Sequence, residues 1–349
     1  MASLAHQHPS KRPTAIGDEV RRPKPVGRNG FVGVSRAIQQ ILQLVERVAK
    51  TDITILITGE SGTGKEMVAQ AIHASSHRAA NPFIRMNCAA VPETLLESEL
   101  FGHKRGAFTG AVTDKNGKFL LSDKGTLFLD EVGDLSLNAQ AKILRTIESG
   151  EVEMVGGERL EKVNARIISA TNQNLEELIA KGLFREDLFH RINVLEINIP
   201  PLRERPEDIV PLAHYFLDYY CRENGFTPKA LAPSAVAVLI AYHWPGNVRE
   251  LKNVMQKVCV LVDSDIISSN DIHGILGFNP SVDDLNSTRT YRKAVKIFEK
   301  NFLIFSLLEN DWNISKTALV LGLPRSCLYD KLNKYGIKKC LGGRTRLVG

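Results

Sequence analysis

Cysteine is scarce in this chain: five among 349 residues (Cys88, Cys221, Cys259, Cys327, Cys340), with no CxxC or other metal-ligand spacing. That pattern excludes a zinc ribbon or a disulfide framework and fits scattered thiols in a reducing cytoplasm. Long apolar runs are missing as well, since no stretch approaches the roughly 18 residues a membrane-spanning helix requires. The opening MASLAHQHPSKRP has no apolar segment of the kind a signal peptide carries. The expectation is a soluble cytoplasmic protein with no membrane partner. Residues 1–28 lack any apolar cluster but hold Pro9, Pro13, Pro23 and Pro25, so they read as a disordered basic segment too short to fold alone.

What is present is distributed unevenly. The net charge of +6 hides a division: residues 1–28 carry six Lys/Arg against two Asp/Glu, and residues 285–349 carry thirteen against four. The middle, 29–284, is acidic. A basic C-terminal module on an acidic body is the charge footprint of nucleic-acid binding at one end. A merely solvated basic surface would look the same, so a helix-turn-helix pattern has to carry that reading.

The most informative segment is GESGTGKE at 59–66. It follows the β-branched, apolar run Ile53-Thr54-Ile55-Leu56-Ile57-Thr58 and precedes the helix-compatible run 67–73. Strand, glycine-rich loop, helix is the context a phosphate loop needs. Gly59, Gly62 and Gly64 let backbone N–H groups crowd a triphosphate, with Glu60, Ser61 and Thr63 between them. Lys65 supplies a point charge to the β- and γ-phosphates. Glu66 stands where the general pattern has a Ser or Thr for Mg²⁺, which leaves the metal more dependent on other groups. A second apolar run, Thr126-Leu127-Phe128-Leu129, ends in Asp130-Glu131. At a strand's C-terminal edge Asp130 would hold Mg²⁺, directly or through water, and Glu131 would polarise the attacking water.

Strand-like runs at 53–58, 83–86, 126–130, 165–170 and 194–199 alternate with helical segments, which implies an α/β domain with a parallel sheet over 29–200. After Pro200-Pro201 the pattern is helical (207–221, 233–243, 246–262, 270–276), a lid over 201–277. Residues 278–288 read as a linker, and 342–349 as a tail. Within 289–341, Asn313 or Ser315 caps a short helix, Gly322 makes a tight turn and Pro324 opens a second helix.

Together GESGTGKE, FGHKRGAFTGA (101–111), GTLFLDEVGDL (125–135), ATNQNL (170–175), FREDLFHRINV (184–194), PPLRERPEDI (200–209) and WPGNVRELKN (244–253) resemble the bacterial enhancer-binding activators of sigma-54 RNA polymerase, a branch of the AAA+ ATPases. The likeness runs from Phe31 to Lys339. It implies an ATP- and Mg²⁺-dependent ATPase with a P-loop α/β domain, a helical lid and a Fis-like helix-turn-helix. In that family Glu is usual after the phosphate-loop lysine.

The resemblance assigns further residues. Arg185 and Arg191 would reach the γ-phosphate of a neighbouring subunit, so the active unit would be a homo-oligomeric ring, a hexamer by family expectation. Pairing with Glu186 or Asp187 is the alternative for those arginines. Asn172, beside Thr171, matches a γ-phosphate sensor, although Thr-Asn could equally cap the next helix. Arg249 matches the lid's sensor arginine, and Asn87 the switch that holds the catalytic glutamate away from water. The loop Gly106-Ala107-Phe108-Thr109-Gly110-Ala111 would touch sigma-54, with a hairpin that buries Phe108 as the alternative. In the helix-turn-helix, Arg325, Ser326 and Tyr329 would lie near bases of enhancer DNA, and Lys316, Lys331 and Lys334 near phosphates. A helical hairpin for dimerisation is the competing reading.

Three departures stand out. Asp330 and Cys327 replace a common basic residue and Thr, and Leu120 replaces the Glu of a GxFExA pattern. Many relatives carry an N-terminal receiver or sensing domain, for which the first thirty residues leave no room. Either a separate regulatory protein or expression level sets activity, or the sequence is a truncation. Competing functions are a DNA-binding regulator that keeps the AAA+ fold without remodelling sigma-54 polymerase, and an unfoldase or helicase. The intact GAFTGA argues against the first; the basic tail and the lack of aromatic pore-loop signatures argue against the second.

Overall fold

A computed structural model describes residues 31–108, 110–276 and 313–335, with single positions 299, 303, 306, 307, 310 and 337. Segment 1–28, linker 278–288, tail 342–349 and Thr109 lie outside the described residues. The chain enters through α1 (Arg36–Val48), whose N-cap Ser35 accepts from the Ile38 N–H. Next come β1 (Ile55–Thr58), α2 (Lys65–Ala74), β2 (Phe83–Asn87) and α3 (Glu93–Phe101). The antiparallel pair β3 (Gly102–His103) and β4 (Lys115–Asn116) brackets GAFTGA. There follow α4 (Lys118–Leu121), β5 (Thr126–Asp130), α5 (Leu137–Ser149) and a hairpin of β6 (Glu151–Glu153) and β7 (Leu160–Lys162). Then β8 (Arg166–Thr171), α6 (Leu175–Ala180), α7 (Glu186–Ile192) and β9 (Leu195–Asn198) complete the α/β unit.

Five strands form one parallel sheet in the order β2-β5-β8-β1-β9. The middle residues of β1 and β5 are at most 1% exposed, which requires cover on both faces. One core packs Leu56, Leu127, Leu129 and Ile167 against α3, α5 and α7; the other packs Ile55, Ile57, Phe128 and Ile168 against α1 and α2. The expected strands are therefore found, each end shifted by at most two residues. Both short antiparallel pairs went unread in the sequence, because two or three residues are too few to show a period.

Register sets the site. Thr58 pairs with Thr171, and Asn87 with Asp130, so β1, β2, β5 and β8 end level. β8 separates β1 from β5, and the order reverses there, which opens a crevice at the strands' C-terminal ends.

Beyond β9 two 3₁₀ turns (Leu202–Glu204, Pro206–Asp208) lead into α8 (Ile209–Glu223). The lid continues with β10 (Ala230–Leu231), α9 (Pro233–Ala241), α10 (Asn247–Leu261), β11 (Ile266–Ile267) and α11 (Ser269–Leu276). Its own core centres on Trp244, Leu217, Leu251 and Met255. A third unit holds α12 (Ile314–Val320) and α13 (Arg325–Lys334), with Leu303, Leu307, Ala318, Leu328 and Leu332 as its core. Among the described residues no helix is long and apolar enough to cross a membrane.

Candidate functional site

Positive φ at Gly59 (147°), Gly62 (78°) and Gly64 (109°) lets the loop after β1 curl around the N-terminus of α2. At Gly62 no side chain fits: a Cβ would lie 2.4 Å from the Gly246 carbonyl oxygen of the lid. Lys65, the first residue of α2, is 6% exposed, and its Nζ donates to the Gly59 carbonyl at 2.9 Å. The same ammonium lies 3.5 Å from Glu131 Oε1. Glu131 has a left-handed backbone (φ 56°), a conformation that costs a non-glycine residue energy and is found where geometry is demanded. Its Oε2 accepts from the Asn172 N–H at 3.0 Å. One carboxylate therefore bridges the phosphate loop and the end of β8.

Asp130 is half-buried beside it. Burial first, then the Glu131 carboxylate, raises its carboxyl above the ordinary range. Two adjacent carboxyl groups at the mouth of a phosphate loop are a donor set suited to a hard cation. Among the described residues no cluster of three or more His, Cys, Asp or Glu could hold a metal by itself. Glu66 Oε1 is bonded to Arg85 on β2 and to Gln70 Nε2, while its charge adds a smaller push to the Asp130 carboxyl.

Each of the other residues assigned to this site has a partner within the chain. Asn87 Nδ2 approaches Asp130 Oδ2 at 3.4 Å rather than Glu131, because β2 and β5 pair these two residues directly. Asn172 and Thr171 do not cap the next helix; Asn174 does, accepting from the N–H groups of Glu176 and Glu177. Thr171 Oγ1 accepts instead from the Gln173 N–H. Arg185 chelates Asp187 through two bonds of 3.0 and 2.6 Å, which is the surface pairing that had been the alternative. Arg191 Nη2 donates to the Ile147 carbonyl at 3.3 Å. Arg249 Nη1 reaches Ser61 Oγ at 2.9 Å, so the lid arginine does face the phosphate loop.

Sequence reasoning passed over Arg203, Arg205 and Asn247. Arg203 grips Glu60 through two bonds of 2.8 and 2.6 Å, and with Asn247 it pulls the Glu60 carboxyl down to about 2. Arg205 Nη2 donates to the Thr63 carbonyl at 2.8 Å. The available signal was PLRER and WPGN flanking two lid helices, but nothing in either motif says which residues face the loop.

The GAFTGA loop closes on itself at its neck. Gly106 N–H donates to the Ala111 carbonyl at 2.8 Å, and Asp114 accepts from the Arg105 N–H and from Lys104 Nζ. Phe108 is 37% exposed, and its ring stands edge-on to His103 with centroids 5.0 Å apart. Ala107 lies so close to Gly156 of the β6–β7 hairpin that a Cβ on that glycine would come within 2.7 Å. A cavity of about 380 Å³ lies beside Phe108, between α3 and the start of α5. Leu120 packs partly buried against the sheet's core, so an apolar contact occupies the place of the expected glutamate.

Comparison with known proteins agrees in every unit. Residues 31–198 match the sigma-54 interaction domain, 203–284 the AAA+ ATPase lid domain and 294–335 the bacterial regulatory proteins of the Fis family. The transcriptional regulatory protein ZraR of Klebsiella oxytoca is 42% identical over 332 residues, which cover 95% of this chain and 73% of ZraR. The chain belongs to the sigma-54-dependent transcriptional activators. The nitrogen fixation protein AnfA of Azotobacter vinelandii is 43% identical over 88% of this chain and 58% of AnfA. The Nif-specific regulatory protein of Klebsiella pneumoniae is also 43% identical, over 94% of this chain. The chain thus spans 58% and 63% of the lengths of those two relatives. Among solved structures, NtrX from Brucella abortus in complex with ADP superposes with a TM-score of 0.72 at 40% identity, covering 88% of this chain and 70% of NtrX.

In the Fis-type module of this chain, Asn313 caps α12 by accepting from the Lys316 N–H, and Gly322 turns with φ 63°. Pro324 precedes α13, where Arg325 lies over the Tyr329 ring at 5.9 Å. Ser326 and Lys334 lie on the same helix, Lys334 with its Nζ over the Tyr335 ring. Lys331 Nζ is bonded to Glu299, whose other oxygen accepts from the Tyr335 hydroxyl.

Proposed function

We propose that this chain hydrolyses ATP at the crevice above β1, β5 and β8, and that it couples hydrolysis to remodelling the closed sigma-54 RNA polymerase promoter complex into the open complex. The observation that carries the reading is Glu131, held at once by Lys65 and by the Asn172 backbone N–H. That bridge aims a carboxylate at the space next to the phosphate loop, where it can take a proton from an attacking water. Lys65 and the N–H groups around Gly62 and Gly64 would bind the phosphates, and Asp130 would hold Mg²⁺. Bound there, the metal would supply positive charge to offset the charge developing on the phosphates.

The loop 106–111 is the output in this reading, with Phe108 the apolar contact offered to sigma-54. It leans on His103 and on the β6–β7 hairpin, which joins the end of α5 to the start of β8, so these are the contacts through which the loop meets the α/β unit. Arg185 and Arg191 serve a neighbour's γ-phosphate in a ring, hexameric by family expectation, and Arg185 exchanges Asp187 for that phosphate. The Fis-type module binds upstream double-stranded DNA through Arg325, Ser326, Tyr329, Lys316 and Lys334.

The test is open-complex formation at a sigma-54 promoter in a purified system, with ATP and with a non-hydrolysable analogue, Lys65→Ala serving as control. Opening with ATP alone, lost in the control, is the expected result. Intact hydrolysis and DNA binding with no opening would refute remodelling and favour a regulator that keeps the fold.

A further inference from the structure

Four successive residues of the phosphate loop are each bonded to the lid. Glu60 accepts from Arg203 twice and from Asn247 Nδ2 at 3.1 Å. The Ser61 carbonyl accepts from the same Asn247 amide at 3.0 Å, and the Ser61 hydroxyl from Arg249. The Gly62 carbonyl takes the Val248 N–H at 2.9 Å, and the Thr63 carbonyl takes Arg205. Asn247 is wholly buried and holds a left-handed φ of 52°; its Oδ1 accepts from the Leu202 N–H at 2.7 Å. A buried, strained residue whose amide is fully used is over-determined by its surroundings, as positioning residues are.

The chemistry of Glu60 gives this seam a purpose. A phosphate loop binds anions, yet Glu60 is one of its residues and carries a carboxylate, partly exposed and turned to Arg203 and Asn247, whose lowered proton affinity keeps it ionised. An uncompensated negative charge there would oppose an incoming triphosphate. Both groups that compensate it, Arg203 and Asn247, come from the lid side.

We propose that Glu60, Arg203 and Asn247 form a charge-neutralising clasp, in which the lid makes the phosphate loop competent for nucleotide only while it is seated on the loop. Arg203 and Asn247 are thus positioning residues: they act on the triphosphate through Glu60. The clasp rests on the ATPase reading above. It makes nucleotide affinity a reporter of lid position, so that anything displacing the lid lowers affinity without touching Lys65 or Asp130.

The test is the dissociation constant for a fluorescent ATP analogue, measured on the full chain across a salt series. Arg203 is exposed, so Arg203→Ala should fold, and thermal unfolding checks that it does. Arg203→Ala is expected to weaken binding about tenfold, the size of one lost charge-assisted pair. Glu60→Gln placed on top of Arg203→Ala should restore most of that loss, because the charge that needed neutralising is gone. A purely structural role for Arg203 gives no such rescue. Arg203→Lys, which keeps charge but loses the two-pronged grip, should fall between. Unchanged affinity in Arg203→Ala, or a double variant as weak as the single, overturns the clasp while the ATPase reading stands. No binding by the wild-type chain overturns both.

Discussion

Asp208 has no exposed surface, and the seam between the leading segment and the lid passes through its carboxylate. Its Oδ1 accepts from the backbone N–H groups of Val34 (2.5 Å) and Ser35 (2.7 Å), and its Oδ2 from the Ser35 hydroxyl (2.7 Å). Oδ2 also lies 3.8 Å from Arg205 Nη1, and Arg205 is itself 2% exposed. Asp208→Ala removes all of these at once. Water can reach the Val34 N–H, because that residue is 42% exposed, so the lost backbone bonds are partly replaced. It cannot reach the guanidinium: Arg205 Nε already has no partner, and burial lowers the proton affinity of the group. The cost is therefore set by a buried charge left alone, about 3–5 kcal/mol. For a unit of this size that is a fall in Tm of roughly 6–20 °C. Calorimetry on the full chain reads it as the transition of the ATPase unit, since the helix-turn-helix has its own core. The double variant Asp208→Leu with Arg205→Met should recover much of the loss, because no charge then stays buried. A loss under about 1 kcal/mol for Asp208→Ala, or a double variant worse than the single, would refute the argument.

Asp130→Asn should stabilise the protein while stopping its chemistry. A carboxyl raised in the folded chain contributes stability that is present below its unfolded value and lost as pH rises through its folded value. The neutral amide escapes that loss, so the variant's Tm should exceed wild type at neutral pH and converge with it toward 3.8, the ordinary value. Hydrolysis should drop at least ~10²-fold; a Tm gain that persists at low pH would contradict the cause. Phe108→Ala should hydrolyse ATP yet fail to open a sigma-54 promoter, and full activation by it would remove the loop from the contact. Lys316→Ala should weaken DNA binding at all sequences and lower the salt slope by about one. Lys331→Ala should do less, since Glu299 already holds that ammonium. Anisotropy titrations at several salt concentrations separate the two, and equal effects would show that Lys331 leaves Glu299 for phosphate.

The five sheet strands were legible because each is a short apolar run that must be covered on both faces, and burial leaves that pattern in the sequence whatever packs on it. GESGTGKE and Asp130-Glu131 were legible for a related reason: phosphate chemistry needs those residue types at a strand's end. What could not be read is which partner each polar group takes. Asn87 faces Asp130 through sheet register, which only the pairing of β2 with β5 fixes. Lys331 meets Glu299 across a helical module, a contact thirty-two residues apart in sequence. The lid seam was hidden most completely, since much of it runs through backbone: the Gly62 and Thr63 carbonyls accept from the lid whatever side chains they carry.

Leu120 shows the converse. The sequence marked it as a departure from the GxFExA pattern of the family it resembles. Here the side chain packs against the sheet's core beside fully buried Phe119, on the short helix that follows the GAFTGA loop. An ion pair between that helix and its surroundings can break and re-form with small motions, whereas an apolar contact resists separation over its whole area. Coupling through Leu120 would therefore move α4 with the sheet rather than switch against it. The Phe108–His103 contact and the Ala107–Gly156 approach are by contrast small contacts of the loop itself, which slight motions can change.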